Sequence, residues 1–172
     1  MSTPATRSRD EGEVKRLGGA NARSSRWTAR ARKNALHCAA ADGSPARVLV
    51  AEDDDDMRRL VVRALREEGF DVVDVRSGWE LLDYVGLQIE LHGRGGPPPD
   101  LIVSDVRMDG VTGLEVLAGL REASWSTPVI LITAFGDAEL HAEARRLGAL
   151  AVFDKPFDLR DLRKLARTMA GS

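Results

Sequence analysis

Cysteine is almost missing: Cys38 is the only one in 172 residues. A disulfide scaffold is therefore excluded, and with no Cys or His partner at ligand spacing a zinc site is excluded as well. No apolar run approaches the roughly 18 residues that a bilayer span requires, and the N-terminus lacks the apolar core of a secretory signal. These absences predict a soluble, cytoplasmic protein with no membrane partner. None of the three histidines, His37, His92 and His141, has a Ser or Cys near it in a triad-like arrangement. Neither a G-x-G-x-x-G motif nor another glycine-rich phosphate loop is present, so a small-molecule enzyme finds little support.

Apolar residues make up 43% of the chain, enough for a real core, and the length fits one domain plus an appendage. Charge is unevenly spread. Residues 1–44 hold nine Lys/Arg and four acids, a balance of +5, which leaves −7 for the remainder of a chain whose net charge is −2. This first segment is rich in Arg, Ser, Ala and Thr and has no apolar period, so it is read as a disordered basic tail that cannot offset its ordering entropy. Asp10, Glu11 and Glu13 argue against an organelle transit peptide. A solvated tail is preferred over a nucleic-acid or membrane-surface tether. The folded domain is expected to span 45–172.

That domain opens on VLVAEDDDDMRRL, where an apolar run meets five consecutive carboxylates, Glu52 to Asp56. Residues 48–51 read as a strand covered on both faces. Met57, Leu60, Val61, Ala64 and Leu65 then recur at helical spacing, with Gly69 as the stop. The rest alternates in the same way. Strands are expected at 70–75, 101–104, 129–132 and 150–153. Helices are expected at about 80–90, 113–122, from the cap Asp137 to Leu147, and from the cap Asp158 to beyond Met169. HGRGGPPP, residues 92–99, reads as a loop. Five strands alternating with five helices imply a doubly wound parallel sheet of the flavodoxin-like α/β class.

In such a sheet the functional crevice lies past the carboxyl ends of the strands. Those positions hold Glu52 and Asp53, Asp105, Thr133 and Lys155. Three carboxylates so close together repel unless a cation joins them, and an all-oxygen donor set suits Mg²⁺. Lys155 could pair with a carboxylate or hold a phosphate as a point charge, and Thr133 could donate to a phosphate oxygen. Together the set resembles equipment for phosphoryl transfer. Asp54 to Asp56 are read as helix-capping acids, placed where the dipole favours negative charge.

VLVAEDDDDMRRLV, LIVSDVRMDGVTGLEVL, VILITAFGD and AVFDKPFD, in this order, resemble the receiver domain of bacterial two-component response regulators, the CheY-like family, with strand order 2-1-3-4-5. The resemblance runs from about Arg47 to Met169. It implies that Asp105 accepts a phosphoryl group from a histidine kinase's phosphohistidine, and that Glu52, Asp53, Asp105 and the main-chain carbonyl of Arg107 bind Mg²⁺. It also implies that Thr133 and Lys155 contact the phosphoryl oxygens, that Arg107 and Phe135 flank the site and tune dephosphorylation, and that Lys155-Pro156 is a cis bond. A histidine kinase or phosphotransfer protein is the implied donor, with small phosphodonors as substitutes, and a protein is the implied output partner.

Only Gly171 and Ser172 follow the last helix, so no DNA-binding domain is expected, and the chain reads as a single-domain signalling module rather than an enzyme. The alternative is a receiver-like interaction module that works without phosphorylation. Three departures from the family are visible. Val152 stands where the family carries an aromatic ring, and strand alternation sends Phe153 to the opposite face. Asp109 replaces a frequent proline, and HGRGGPPP looks inserted. His141, between Glu139 and Glu143 on its helix, reads as solvated, and Trp79 and Trp125 read as packing residues.

Overall fold

The computed structural model describes residues 44–90 and 98–170. The basic segment before Ser44, with His37 and Cys38, and residues 92–97 of the expected loop lie outside the described residues. The strands are β1 (Arg47–Ala51), β2 (Asp71–Val75), β3 (Leu101–Asp105), β4 (Val129–Thr133) and β5 (Ala151–Asp154). The helices are α1 (Asp55–Glu67), α2 (Gly78–Glu90), α3 (Gly113–Glu122), α4 (Ala138–Arg146) and α5 (Leu159–Ala170). All strand pairs are parallel, in the order β2-β1-β3-β4-β5. This is the expected flavodoxin-like arrangement.

Continuous apolar strands are what a sheet covered on both faces demands, and the side chains divide by alternation. Leu49, Ile102 and Leu131 point to a core shared with Leu81, Val85, Val116, Leu117, Leu120 and Ala144 of α2, α3 and α4. Val48, Val50, Val103, Ile130 and Ile132 point the other way, to Val61, Val62, Leu65, Leu162 and Ala166 of α1 and α5. Val152 packs on the first side and Phe153 on the second, beside Phe157 at 5.5 Å.

Helix ends follow local chemistry. Asp54 caps α1, its side chain accepting from the Met57 N–H at 2.7 Å, and Asp55 and Asp56 sit in the first turn. Gly69 (φ +92°) and Gly148 (φ +82°) take the left-handed conformation just beyond α1 and α4, which glycine adopts without a Cβ penalty. Thr112 and Glu115 form a reciprocal capping box on α3. In α2 the Glu80 N–H donates to Ser77 Oγ at 3.2 Å, but the Glu80 carboxylate accepts from the N–H of Arg76.

One stripe differs from expectation. Leu60 is 48% exposed, whereas Arg58 and Val62 are buried. The core face of α1 is therefore 58, 61, 62 and 65, still an i, i+3, i+4, i+7 set, with an arginine in its first slot. Counting apolar residues alone shifted the face toward Met57 and Leu60.

Helix α3 begins hard against the end of β3. A Cβ at Gly113 would lie 2.3 Å from the carbonyl oxygen of Asp105, whereas one at Gly119 would meet nothing within 4 Å. The same substitution should thus have opposite signs within one helix. Gly113→Ala is expected to destabilise by about 1–3 kcal/mol through overpacking, and Gly119→Ala to stabilise by about 0.5–1 kcal/mol through helix propensity. Urea unfolding midpoints of the two variants check this; two shifts of the same sign would contradict it.

Candidate functional site

Parallel pairing carries every strand's carboxyl end to one edge. Because Ala51 lies opposite Ser104 in the β1–β3 register, the next residues, Glu52 and Asp105, become neighbours. Thr133 ends β4, the strand beside β3, and Lys155 follows β5 immediately, joined to Pro156 by a cis peptide bond. Glu52, Asp105 and Thr133 are buried, whereas Asp53 is exposed at the mouth. One carboxylate oxygen from each of Glu52, Asp53 and Asp105 falls within a 4.8 Å span.

Lys155 reaches across this group. Its Nζ donates to Asp105 Oδ2 at 2.6 Å and to Glu52 Oε2 and Oε1 at 2.9 and 3.1 Å. The other oxygen of Asp105, Oδ1, accepts from the Arg107 N–H at 2.9 Å. Each Asp105 oxygen therefore already faces a donor. Burial pushes the Glu52 carboxyl up to about 7, with the Asp105 charge adding to the rise and Lys155 opposing it. Burial would lower the Lys155 ammonium, but its bonds to Asp105 and Glu52 outweigh this and raise it.

The donor set suits a hard divalent ion. All three side chains offer oxygen, the donor that a hard octahedral Mg²⁺ takes. A buried carboxyl whose proton is held up to neutral pH is a group that a second cation would relieve.

The remaining expected residues are arranged around this centre. Thr133 is fully buried, and its Oγ1 accepts from the Phe135 N–H at 3.2 Å. The guanidinium of Arg107 lies over the Phe135 ring, 4.7 Å from its centroid, and the ring itself is 65% exposed. Two readings need revision. His141 is not simply solvated: its Nε2 lies 3.0 Å from Asp154 Oδ1, tying α4 to the end of β5. Trp79 is 60% exposed, yet it rests on the loop after β3, where a Cβ at Gly110 would meet its Nε1 at 2.4 Å. Trp125 packs against the core as expected. Arg58, buried beside Glu52, was missed. Its type and its place five residues past the ED pair were visible, but its inward direction was not.

Glu52 gives a pH-dependent stability. Without metal, the folded chain holds the Glu52 proton up to about pH 7, whereas an ordinary glutamate loses it near 4.5. The folded state binds the extra proton between these values. Stability from Glu52 is therefore full below about 4.5 and is lost as pH rises through 7. In EDTA, Glu52→Gln should match the parent near pH 5 and exceed it by roughly 1–3 kcal/mol at pH 8. Thermal melts across this range check it, and a gap that does not widen with pH would contradict it.

Comparison with known proteins agrees with this geometry. The family model of the response regulator receiver domain matches residues 48–167. Regulatory protein AtoC of Escherichia coli (strain K12) is 34% identical over 116 residues, covering 67% of this chain and 23% of AtoC. Sporulation initiation phosphotransferase F of Bacillus subtilis (strain 168) is 29% identical over 117 residues, covering 68% of this chain and 87% of that protein. The chain thus spans less than a quarter of one curated relative and most of the other. Among solved structures, the receiver domain of the Francisella response regulator 1452 has a TM-score of 0.65 and 26% identity, covering 73% of this chain and 97% of that one. With well over half of its residues matched, the chain belongs to the response regulator receiver domain family.

Proposed function

We propose that the chain is a phosphorylation-dependent signalling module whose phosphoacceptor is Asp105. The observation that carries this reading is the pairing of the buried Asp105 with Lys155 at 2.6 Å inside an all-oxygen cluster with Glu52 and Asp53. A Lys–Asp contact alone would be an ordinary ion pair. With two more carboxylates around it, the site is over-supplied with negative charge and suited to a divalent ion.

The phosphoryl donor is a phosphohistidine on a histidine kinase or phosphotransfer protein. A carboxylate oxygen of Asp105 attacks phosphorus, the P–N bond breaks with its electron pair going to the ring nitrogen, and the imidazole leaves, that nitrogen taking up a proton from solvent. The product is an acyl phosphate. Glu52, Asp53, Asp105 and the Arg107 carbonyl would hold Mg²⁺, which would supply charge neutralisation for the phosphoryl oxygens. Lys155 pairs with Asp105 beforehand and afterwards can pair with a phosphoryl oxygen. The Thr133 hydroxyl donates to another. The chain takes up one phosphoryl group per molecule, so its role is that of a signal carrier acting through a protein partner or passing the group on.

Incubation with Mg²⁺ and acetyl phosphate should give a single phosphoryl adduct by intact mass, absent in Asp105→Asn and absent in EDTA. No adduct on the parent chain would favour a receiver-like interaction module instead. Arg107 stacked on Phe135 forms a wall beside the site, and such a wall hinders the water that would hydrolyse the acyl phosphate. Phe135→Ala should shorten the phosphoprotein's lifetime by roughly threefold or more, a barrier change of at least about 0.6 kcal/mol. An unchanged or longer lifetime would contradict that role.

A further inference from the structure

Arg58 is a charged side chain in the core stripe of α1, only 4% exposed. A buried guanidinium is costly unless its donors are matched, and here they are matched in an unusual place. Nη1 donates to the main-chain carbonyl of Glu52 at 2.8 Å and, at 3.5 Å, to that of Asp53. Nη2 bonds the carboxylate of Asp55, and Nε lies 3.3 Å from Asp74 Oδ2 on β2. The two carbonyls belong to the residues whose side chains enter the acidic cluster. The two carboxylates anchor the guanidinium to the first turn of α1 and to the strand beside β1.

We propose that Arg58 is a positioning residue for the carboxylate site. It fixes the backbone of residues 52 and 53 so that Glu52 and the exposed Asp53 present their oxygens together toward Asp105. The role rests on the metal-binding reading above. Asp53 sits at the exposed turn between β1 and α1, where its own side chain is little restrained. An ion that draws ligands from two separate strand ends gains affinity when the looser end is already ordered. Groups that orient metal ligands typically change affinity by about 10–100-fold when they are lost.

Charge and geometry act in opposite directions here. Removing the Arg58 cation would favour a divalent ion electrostatically, whereas loosening the turn would disfavour it. Arg58→Lys separates them, because lysine keeps the charge but cannot bond two carbonyls and two carboxylates at once. Mg²⁺ titrations followed by amide NMR shifts of residues 52–55 and 105–107 should show about tenfold weaker binding in Arg58→Lys. Amide exchange should be faster at 53–55 than in the parent. A purely structural role would lower the melting temperature in EDTA and leave the Kd of the folded variant unchanged, which would overturn the proposal.

If Arg58→Lys does not fold, Asp74→Ala tests the same anchor from β2. In 0.5 M salt, where the screening length is about 4 Å, it should weaken Mg²⁺ binding about threefold or more. An unchanged Kd there overturns the proposal. If the parent protein shows no Mg²⁺ response at these amides, the metal-binding reading itself fails and the positioning role falls with it. A parent that binds Mg²⁺ beside an unaffected variant removes the positioning role alone.

Discussion

The bond between Lys155 Nζ and Asp105 Oδ2, 2.6 Å long and shared with Glu52, offsets the repulsion between acids that the fold forces together. A parallel sheet delivers every strand's last residue to the same edge, so acids at two neighbouring strand ends must meet. Desolvation makes that meeting expensive, and the upward push on Glu52 records the cost. One ammonium group between two buried carboxylates reduces the repulsion. It leaves the third acid, Asp53, facing the mouth. A site with three carboxylates and one ammonium still suits a further cation.

The surrounding elements maintain this balance. On the β1 side, Arg58 grips the backbone that carries Glu52 and Asp53. On the β3 side, the Arg107 N–H fixes the orientation of the Asp105 carboxylate, and the start of α3 leaves no space for a larger residue than Gly113. On the β4 and β5 side, the Lys155 N–H donates to the Thr133 carbonyl at 2.7 Å, so the lysine and the threonine share one backbone link. That link continues outward. Asp154, adjacent to Lys155, meets His141 on α4, and the backbone at Gly136 lies directly against this pair. Val152, partly buried, packs against the core from β5.

Most of the architecture was legible in the sequence because its signals are local. Apolar runs bounded by turn residues gave all five strands to within about one residue. Asp54, Asp137 and Gly69 marked helix ends through chemistry that acts over three or four residues. The cluster was legible for a different reason: strand ends in a parallel sheet converge whatever the side chains are. What escaped was direction. Arg58 and Leu60 differ in facing by the rotation of one helix, and hydropathy assigns the arginine to water and the leucine to the core. The structure does the reverse, because four acceptors around Arg58 were invisible until β2 and the β1–α1 turn were placed together. His141 was misread similarly, since its partner Asp154 comes from another element.

The claim on which the account stands is that carboxylates from β1 and β3 enclose a divalent ion next to Asp105. A crystal grown with Mn²⁺ in place of Mg²⁺ tests this most directly through the ion's anomalous scattering. The account predicts a peak in contact with Asp53 and Asp105, about 2.2 Å from their oxygens as for a hard octahedral cation, with Lys155 still beside Asp105. A map with no peak at that position under millimolar Mn²⁺, or with the ion bound away from Asp105, would contradict it.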